Sequence, residues 1–365
     1  MPTDKAIMPP TERPRAILHL DLDAFFAAVE ILEDSSLAEK PVVVGGRPEG
    51  RGVVATASYR ARASGIHSAM PTYRALQLCP ELVIVSPRHD VYRRYSHDVM
   101  ALVHKAAPLV EQTSVDEAYI DLTSVVGAWE EAVERARALQ ARVRDQVGLS
   151  ASLGVAQNKL VAKVASDCHK PGGLTIVRPG EEATFLASLP VRVLWGIGSV
   201  TAQRLAAMRV TTVGELARVP EAELRARFGK HGAAMARHAQ GIDSRPLVTE
   251  RETKSVSQER TFVRDLARLN ALKHHLWRLS QGVADRLHRA ELAAGTIGIK
   301  MRYADFSTVT RQMSLMEPTD DEEQIYRAAL VLLERAWQSG RPVRLLGVVA
   351  SQLGPPTGQL CFWKG

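Results

Sequence analysis

Cysteine is scarce in this chain of 365 residues, which contains only Cys79, Cys168 and Cys361. The three lie far apart, and none belongs to a Cys-x-x-Cys pair or to a cluster with histidines. Structural zinc sites and disulfide frameworks both need closely spaced cysteines. The sequence therefore argues against a zinc protein and against a small disulfide-stabilised domain.

Long apolar runs are also missing. Hydrophobic residues make up 45% of the chain, as in globular proteins, but no run approaches the roughly 20 residues that span a bilayer. The first fifteen residues, MPTDKAIMPPTERPR, have neither the apolar core of a signal peptide nor helical periodicity. We therefore expect a disordered tail at residues 1–15, no membrane association and a cytoplasmic protein.

Positive charge exceeds negative charge. Lysine and arginine number 47 against 40 aspartates and glutamates, which gives a net charge of +7. A basic excess favours a polyanionic partner such as a nucleic acid, although the excess alone is a weak signal. The length of the chain favours several domains over a single core.

The most informative stretch is SVDEAYID, residues 114–121, which places Asp116 and Glu117 side by side between apolar residues. Its alternation is typical of strands that meet at or near a turn. Residues 16–23 also alternate, so that leucines occupy one face of a strand and polar residues, including Asp21, occupy the other. If the two segments pair in one sheet, Asp21 converges on Asp116 and Glu117.

Carboxylates at one sheet edge supply the hard oxygen ligands that hold Mg²⁺ through a substrate phosphate. Two such ions a few ångströms apart support in-line phosphoryl transfer. For any single aspartate, a solvated strand end is the more ordinary interpretation. The octapeptide together with the upstream strand instead predicts a divalent-metal site at Asp21, Asp116 and Glu117.

Aromatic and cationic side chains follow these acids in the sequence. Phe25 and Phe26 begin a predicted helix directly after the first strand. Core packing is expected for at least one of them, and a wall against the substrate is the alternative role. Tyr59 and Arg62 share one face if their segment is helical, and they suit a triphosphate, although such a pair is usually just surface.

A second predicted helix carries two lysines. It follows a strand at residues 149–155, with Asn158 as its N-cap and with Lys159 and Lys163 on one face. Two like charges there destabilise a helix slightly unless an anion lies opposite. Strands and helices alternate up to this point, so we expect an α+β sheet with helices on one face.

Residues 193–202 predict a Gly-apolar-Gly hairpin between two helices, with Ser199 as the cap of the second helix. Gly196 and Gly198 let the backbone approach a partner closely, and the free amides at the helix start can hold a DNA phosphate. We favour this helix-hairpin-helix over an ordinary glycine turn. Further helices are predicted over residues 212–216 and 224–240.

Residues 254–353 predict a β-α-β-β-α-β module, the element order of ferredoxin-like folds. The predicted elements are strand 254–261, helix 269–288, strands 296–302 and 306–316, helix 322–338 and strand 345–352. The strands carry the cations Lys254, Arg260, Lys300, Arg302 and Arg311. We interpret them as a basic sheet face that grips a DNA backbone, with an ordinary mixed-charge face as the alternative.

Five stretches together resemble the Y-family of translesion DNA polymerases, in particular their bacterial DNA polymerase IV branch. They are HLDLDAFFAAVE, GVVATASYRAR, SVDEAYID, NKLVAKVASD and WGIGSVTAQRL, in the order and spacing of that family. Each stretch alone is weak, but five in sequence are specific. The resemblance covers nearly the whole chain after the tail.

The resemblance implies a multidomain right-hand polymerase. Its parts would be a ferredoxin-like palm, small fingers, a helical helix-hairpin-helix thumb and a ferredoxin-like little finger. The implied boundaries are palm 16–24 and 88–177, fingers 25–87, thumb 178–243, linker 244–253, little finger 254–353 and a C-terminal tail at 354–365.

The resemblance also implies roles for individual residues by their position in the motifs. Asp21, Asp116 and Glu117 would hold two Mg²⁺ ions, with help from the carbonyl of Leu22. Phe26 matches the steric gate, the aromatic ring that excludes a ribose 2′-OH and so selects deoxynucleotides. The expected contacts of the incoming dNTP are Phe25, Phe26, Thr56, Tyr59, Arg62 and Lys163.

The reaction implied is attack of a primer 3′-OH on the α-phosphate of a dNTP, on primer-template DNA. No proofreading exonuclease is recognisable in the sequence, and the fingers are small. We therefore expect low fidelity, tolerance of damaged templates and a monomeric enzyme.

The end of the chain resembles the QLxLF peptide by which such polymerases bind the sliding clamp, where apolar side chains enter a groove. The matching residues are Gln359, Leu360, Phe362 and Trp363. Phe362 and Trp363 replace the usual Leu-Phe pair, so the match is partial. A frayed apolar tail is the alternative.

Two other functions compete with polymerisation. A polymerase-like protein without catalysis could recruit partners, but it would lack the carboxylates that this chain retains. A nucleotidyl cyclase could use a similar palm with two metal-binding acids. The hairpin at Gly196 and Gly198 and the basic second module favour a DNA duplex instead.

Overall fold

The computed structural model describes residues 14–356. These residues pack as two units: residues 14–45, 54–70 and 74–250 form the first, and residues 46–53, 71–73 and 251–356 form the second. No helix within residues 14–356 is long and apolar enough to cross a membrane. The predicted N-terminal tail and the predicted clamp-binding peptide fall almost entirely outside these residues.

The first unit mixes strands and helices up to residue 176 and is helical after it, as the sequence predicts in outline. Up to residue 112 they are β1 (Ile17–Leu22), α1 (Phe25–Glu33), β2 (Val42–Gly45), β3 (Val54–Ala57), α2 (Tyr59–Ala63), α3 (Thr72–Leu78), β4 (Val83–Val85), α4 (His89–Ala106) and β5 (Leu109–Gln112). The remainder are β6 (Glu117–Asp121), α5 (Trp129–Val147), β7 (Ala151–Ala156), α6 (Lys159–Cys168), β8 (Leu174–Ile176), α7 (Glu182–Ala187), α8 (Ser199–Ala207), α9 (Val213–Ala217), α10 (Glu221–Phe228) and α11 (Lys230–Ala239).

Strand β1 lies at the centre of a five-stranded sheet with the order β5-β6-β1-β7-β8. It pairs antiparallel with β6 on one side and with β7 on the other. The sequence β1-α4-β5-β6-α5-β7 is the β-α-β-β-α-β order expected of the palm, with the fingers inserted after β1. Strand β8, which runs parallel to β7, was not predicted.

Helices cover both faces of this sheet. Leu18, Leu20 and Leu22 of β1 pack in one core with residues of α4 and α5, whereas Ile17 packs with residues of α6 in a second core. The expectation of helices on only one face is therefore wrong. Its physical reason is that every residue of β1 is buried, so both faces of the strand need a covering layer.

Residues 25–87, the expected fingers, contain a second, three-stranded sheet with the order β3-β2-β4. Strand β2 pairs antiparallel with β3 and parallel with β4, over a small core that includes Val43, Val54 and Ile66. The side chain of Ser58 accepts a hydrogen bond from the Ala61 amide and so starts α2. This cap fixes Tyr59 as the first residue of the helix.

The thumb helices differ from the prediction at two places. Only a 3-10 turn, Val191–Val193, precedes the hairpin, and Gly198 rather than Ser199 is the N-cap of α8. The capping role predicted for Ser199 is therefore wrong, because Ser199 is already helical. The helix predicted over 224–240 is divided into α10 and α11, since Gly229 has φ 63° and ψ −144°, which no α-helix accommodates.

The second unit has the predicted β-α-β-β-α-β element order. Its elements are β9 (Ser255–Leu266), α12 (Leu269–Arg289), β10 (Ala293–Tyr303), β11 (Thr308–Thr319), α13 (Glu322–Ala336) and β12 (Val343–Gly354). The strand order is β11-β10-β12-β9. Here the last strand separates the first two, whereas in the palm β6 separates β1 from β5, so the two modules share element order but not strand order.

Candidate active site

Asp21 and Glu117 face each other across neighbouring strands. They are partners in the antiparallel register of β1 and β6. The Leu22 amide donates to the Asp116 carbonyl at 3.0 Å, which brings Asp116 to the end of β1. The predicted convergence of the two acidic segments therefore exists in the sheet.

A hairpin turn between β5 and β6 shapes the position of Asp116. Ser114 Oγ accepts the Glu117 amide at 3.0 Å and donates to Asp116 Oδ1 at 2.5 Å. The Asp116 carboxylate thus bonds within its own turn. Over residues 14–356, no group of three or more His, Cys, Asp or Glu side chains has the geometry to hold a metal ion.

Two lysines neutralise the acid pair. Lys163 Nζ lies 2.8 Å from Glu117 Oε1, and Lys170 Nζ lies 2.7 Å from Asp21 Oδ1. Lys163 was predicted from its helix, but Lys170 was not singled out. Its signal in the sequence was faint, because the HKPGG segment that carries it was recognised only as a turn.

The two carboxyls differ in proton affinity. Burial raises the pKa of Asp21, and the neighbouring Lys170 offsets this only in part. Burial acts in the same direction on Glu117, but the hydrogen bond and charge of Lys163 outweigh it and lower the pKa of Glu117.

His19 lies beneath the pair as a neutral side chain. Its Nδ1 is 2.8 Å from Ser166 Oγ, and its Nε2 is 4.0 Å from Glu117 Oε2. Burial lowers the pKa of His19 to about 3, and the charge of Lys163 acts in the same direction. The contact with Glu117 is therefore not an ion pair at neutral pH.

Asp23 organises the groups around the acids. Its carboxylate is buried and accepts hydrogen bonds from Ser150 Oγ (2.7 Å), Ser152 Oγ (2.8 Å), the Gly172 amide (2.8 Å) and the Tyr59 hydroxyl (3.2 Å). The sequence placed Asp23 on the right face of the strand but assigned it no role. One carboxylate thus ties the fingers helix α2 to the palm.

Tyr59 and Arg62 lie together on α2, as predicted. The Arg62 guanidinium is 4.9 Å from the centroid of the Tyr59 ring, and Arg62 Nε donates to the Ala57 carbonyl at 3.0 Å. Burial, with the charge of Asp23, raises the pKa of Tyr59 to about 12, so its hydroxyl stays protonated. Thr56 lies on β3, two residues before the cap residue Ser58, and the Thr56 side chain is half-buried.

The two phenylalanines of α1 have different surroundings. Phe25 is 2% exposed and packs in the palm core, so the predicted nucleotide contact of its side chain is not supported. Phe26 is partly exposed and stacks on Tyr92, with ring centroids 4.2 Å apart and planes 14° apart. Tyr92 in turn donates to Glu30 Oε1 at 2.5 Å.

Tyr92, Glu30 and Arg88 form a support for Phe26 that the sequence did not reveal. Arg88 donates to both oxygens of Glu30, from Nε at 3.1 Å and from Nη2 at 2.5 Å. Tyr92 is 1% exposed, and burial raises its pKa to about 12. The ring behind Phe26 is therefore fixed by packing and by a buried carboxylate.

The donors at this site fit a divalent cation in their chemistry. Asp21 is buried opposite Glu117, and the pair already draws two ammonium groups to itself. Hard carboxylate oxygens with unbalanced negative charge are the ligands that Mg²⁺ takes. Asp116 lies beside the pair in the chain, while its carboxylate is turned to Ser114.

The predicted hairpin lies between the 3-10 turn and α8. Gly196 has φ 90°, and a Cβ there would meet the His231 ring at 2.8 Å, so glycine is required. Trp195 and Val200 on either side are 65% and 70% exposed. The turn thus contains Gly196, Gly198 and Ser199, and the apolar side chains of Trp195 and Val200 beside it are exposed to solvent.

The cations of the second unit do not share one sheet face. Lys300 pairs in register with Gly347 and Thr310, and Arg302 with Thr308, on the face that the helices leave open. Arg260 pairs with Leu346, and Arg311 with Ile299, whose side chains lie in the core. Directly opposed residues point to the same side, so Arg260 and Arg311 lie on the helix-covered face.

Two further predictions concern residues at the margins of the second unit. Lys254 is exposed and lies just before β9. The clamp-binding residues Gln359, Leu360, Phe362 and Trp363 lie outside the described part of the chain. The single predicted basic face therefore reduces to Lys300 and Arg302, with Lys254 at the start of the edge strand.

Family comparisons cover most of the chain. Residues 20–167 match the impB/mucB/samB family, and residues 253–360 match the impB/mucB/samB family C-terminal domain. Residues 192–243 match the thumb domain of DNA polymerase-iota. The last match includes the hairpin.

Individual relatives align over nearly their full length. A protein of Alkalilimnicola ehrlichii called DNA polymerase IV is 44% identical over 93% of this chain and 95% of its own. The DNA polymerase IV of Streptococcus pneumoniae is 41% identical over 92% of this chain and 96% of its own. A solved Y-family DNA polymerase chimera, Dbh-Dpo4-Dbh, superposes with a TM-score of 0.85 at 28% identity, over 93% of this chain and 99% of that one. The chain therefore belongs to the Y-family of translesion DNA polymerases, in its DNA polymerase IV branch.

Proposed function

We propose that this polymerase transfers nucleotides at the acid pair of Asp21 and Glu117, with Asp116 as the third carboxylate. The observation that carries the proposal is the register that sets Asp21 opposite Glu117 at the end of β1. Lys163 and Lys170 on the two acids support it, because a site that attracts this much positive charge suits cations and phosphates.

Members of this family depend on divalent metal ions. In this chain Asp21, Asp116, Glu117 and the carbonyl oxygen of Leu22 would hold two Mg²⁺ ions. When bound, such ions lower the pKa of an attacking hydroxyl and neutralise charge on the transferred phosphate. The chain would contribute these carboxylates at the point where the primer end and the dNTP phosphates meet.

The triphosphate would be held by Tyr59, Arg62 and Lys163, with Thr56 nearby. The Tyr59 hydroxyl is a neutral donor because its pKa is raised to about 12. Arg62 is exposed on the same helix and offers a guanidinium fork to phosphate oxygens. Lys163 would supply a point charge from its place beside Glu117.

Sugar selection would depend on Phe26 rather than Phe25. Phe26 keeps part of its surface exposed and is backed by the Tyr92 ring, whereas Phe25 is buried in the core. Because the Tyr92 ring blocks movement of the Phe26 ring, Phe26 would exclude a ribose 2′-OH by steric clash.

Each unit would contact DNA through its own surface. In the first unit the backbone amides after Gly196 and Gly198 can donate hydrogen bonds to a phosphate at the start of α8. In the second, Lys300 lies in a groove of about 430 Å³ on the open sheet face, where Gly298 and Gly347 have no side chain. Glycines leave a flat floor there, and the positive charges are Arg302 and Lys300, of which Lys300 is paired with Glu259 at 2.7 Å.

Primer extension with Mg²⁺ and single dNTPs tests the proposed activity. We expect extension of a primer-template, frequent misincorporation and synthesis past a damaged template base. A protein that binds DNA without extending it would instead be a recruiting subunit. Cyclic nucleotide formed from NTPs without DNA would identify a cyclase.

The proposal also includes binding to the sliding clamp and a monomeric state. It places the protein in the cytoplasm, where DNA and dNTPs occur. The peptide at Gln359, Leu360, Phe362 and Trp363 supports the clamp as a partner. We expect a bacterial sliding clamp to retain the full chain in a pull-down and to lose it when residues 358–365 are deleted. Equal retention of both forms would exclude the peptide as the docking element.

A further inference from the structure

Phe306 lies in the hairpin turn between β10 and β11, and none of the roles proposed above requires it. Its side chain is 61% exposed, and its backbone has φ 64°. A positive φ is an outlier for a bulky residue, whereas glycine adopts it without strain. A large apolar ring held in solvent on a strained backbone is a feature of binding sites.

Hydrogen bonds and an ion pair hold the turn around Phe306 in one conformation. Asp305 Oδ1 accepts hydrogen bonds from the amide and the hydroxyl of Ser307, at 2.9 and 2.6 Å. Arg341 Nη2 donates to Asp305 Oδ2 at 2.8 Å, and the Arg341 guanidinium lies 3.8 Å from the centroid of the Tyr303 ring. The Phe306 amide donates to the Tyr303 carbonyl at 3.0 Å. Because the turn is fixed in this way, its backbone loses little freedom when the Phe306 ring binds a partner.

A β-bulge in β12 places a cation on one face of the Phe306 ring. Two adjacent residues of β10 pair with Val343 and Leu345 of β12, so Arg344 between them is the extra residue of the bulge. Bulges re-aim side chains, and the Arg344 guanidinium lies 4.6 Å from the centroid of the Phe306 ring. Arg344 thus covers one face of the ring and leaves the other face to solvent.

The Phe306 ring also lies at the end of the basic open face of the second unit. Arg302 and Thr308 pair in register next to the turn, and Arg302 Nε donates to Thr308 Oγ1 at 3.0 Å. Lys300 lies two residues earlier on the same face of β10. Cations beside an exposed aromatic ring suit single-stranded nucleic acid, since the cations attract phosphates and the ring stacks on a base.

We propose that Phe306 is a stacking platform for one unpaired base of the template strand. The base lies on the ring face opposite Arg344, and Arg302 and Arg344 face its flanking phosphates. Every base has a flat π-face, so the platform holds the template strand without reading its sequence. This inference rests on the proposed function, which supplies a template with an unpaired segment ahead of the primer end.

The test compares Phe306→Gly with wild type, with Phe306→Trp, which keeps a flat ring, and with Val331→Ala. Val331 is an exposed apolar residue of α13 and serves as the matched control. Fluorescence anisotropy measures the affinity of the full chain for a primer-template with a single-stranded template overhang. The blunt duplex of the same paired length is measured beside it, and thermal unfolding is followed for each variant.

We expect Phe306→Gly to weaken binding of the overhang substrate about tenfold and to leave binding of the blunt duplex unchanged. Phe306→Trp and Val331→Ala should keep the wild-type ratio of the two affinities. The Tm of Phe306→Gly should not fall, because glycine adopts the positive φ without strain. An unchanged ratio, or a lower Tm with an equal loss of affinity for both substrates, would refute the platform.

Photocrosslinking tests the contact directly. Templates with 5-iodouracil at successive overhang positions are irradiated in complex with the protein, and the attached peptide is identified by mass spectrometry. We expect attachment at Phe306 in wild type and its loss in Phe306→Gly. Attachment only at other residues would contradict the proposal. If Phe306→Gly loses retention by a bacterial sliding clamp but keeps both DNA affinities, the ring contacts a protein and the proposal is wrong.

Primer extension by the wild-type protein separates this inference from the proposed function. If wild type extends the primer while Phe306→Gly keeps the preference for the overhang substrate, the polymerase assignment stands and only the role of Phe306 is refuted. If wild type neither extends a primer nor binds the overhang substrate, the proposed function is wrong, and the inference about Phe306 is wrong with it.

Discussion

At the scale of single residues, the site is organised by negative charge on neighbouring strands. Asp21 and Glu117 face each other, and each carboxylate has its own lysine. Burial raises the pKa of Asp21, whereas on Glu117 the hydrogen bond and charge of Lys163 outweigh burial and lower the pKa. A cation near either carboxylate stabilises its ionised form.

Asp116→Ala should abolish primer extension, with a loss of about a thousandfold or more in the rate of nucleotide addition. The carboxylate bonds only within its own turn, to Ser114, so the fold and the affinity for DNA should change little. Single-turnover incorporation and fluorescence anisotropy measure the two quantities. Asp145→Ala, at an exposed residue of α5, is the matched control, and retained turnover in Asp116→Ala would overturn the assignment.

Phe26→Leu should admit ribonucleotides, because a smaller side chain leaves room for the 2′-OH beside Tyr92. The ratio of kcat/KM for dNTP over rNTP is the measurement, and we expect it to fall by about a hundredfold. Phe25→Leu is the control, since the buried Phe25 should affect stability by about 1 kcal/mol and leave sugar selection intact. An unchanged ratio in Phe26→Leu would make Phe26 only a packing residue.

The sequence predicted the acids but not the residues that support them. Alternation in two short segments predicted that Asp21 and Glu117 converge if the segments pair, and the structure supplies the register that sets them opposite each other. Asp23, Lys170 and Tyr92 act through partners far away in the chain, such as the contact from Asp23 to Gly172. No local pattern encodes such contacts, because they depend on how the strands and turns pack.

At the scale of elements, α6 is the helix that positions the cations. Asn158 caps it as predicted, with Oδ1 accepting the Val161 amide at 3.0 Å, while Nδ2 donates to the Gly241 carbonyl at 2.8 Å. The two lysines on one face do have anions opposite: Glu111 for Lys159 and Glu117 for Lys163. Each ion pair removes the repulsion that the sequence alone would suggest.

A capping box at the start of α9 makes thumb stability depend on pH. Thr212 and Glu215 cap each other reciprocally, and hydrogen bonds from the Thr211 and Thr212 amides lower the pKa of Glu215 to about 2. A lowered pKa means that the stabilisation is complete above the ordinary value of 4.5 and is lost as pH falls toward 2. Glu215→Gln should therefore lower Tm at neutral pH. The difference in Tm from wild type should decrease as the pH falls below 4.5.

Thermal unfolding followed between neutral and acid pH checks the expectation for Glu215→Gln. Glu223→Gln is the control, since Glu223 makes only an exposed i,i+4 contact with Arg227 at 3.2 Å. A difference in Tm between wild type and Glu215→Gln that stays constant with pH would contradict the role of the carboxylate.

The sequence predictions were wrong where a single glycine ends a helix or where strand register decides which face of the sheet a side chain lies on. Gly229 divides one predicted helix into two through its positive φ. The face of Arg260 depends on its pairing with Leu346, which periodicity within one strand does not reveal. Element order was predictable from local patterns, whereas strand order required the contacts between distant segments.

At the scale of the whole molecule, both units carry surfaces suited to the DNA backbone. The first unit contributes the glycine hairpin, and the second contributes the open sheet face with Lys300 and Arg302. The net charge of +7 is consistent with phosphate contacts on both. Salt dependence is the natural measure of how many phosphates are neutralised.

Replacing Lys300 and Arg302 together by alanine should weaken DNA binding and flatten its dependence on salt by about 0.9 per lost phosphate contact. The same double replacement at Arg260 and Arg311, on the helix-covered face, should have a clearly smaller effect. Fluorescence anisotropy at several salt concentrations measures both. Equal slopes for the two double variants would show that the open face is not the DNA-binding surface.

The most direct measurement is anomalous scattering from Mn²⁺ in a crystal of the protein with primer-template DNA and a non-hydrolysable dNTP. We predict two peaks at the end of β1, within bonding distance of Asp21, Asp116 and Glu117, with the Asp116 carboxylate turned away from Ser114. Peaks located elsewhere, or an Asp116 that still bonds Ser114 and touches no ion, would contradict the account.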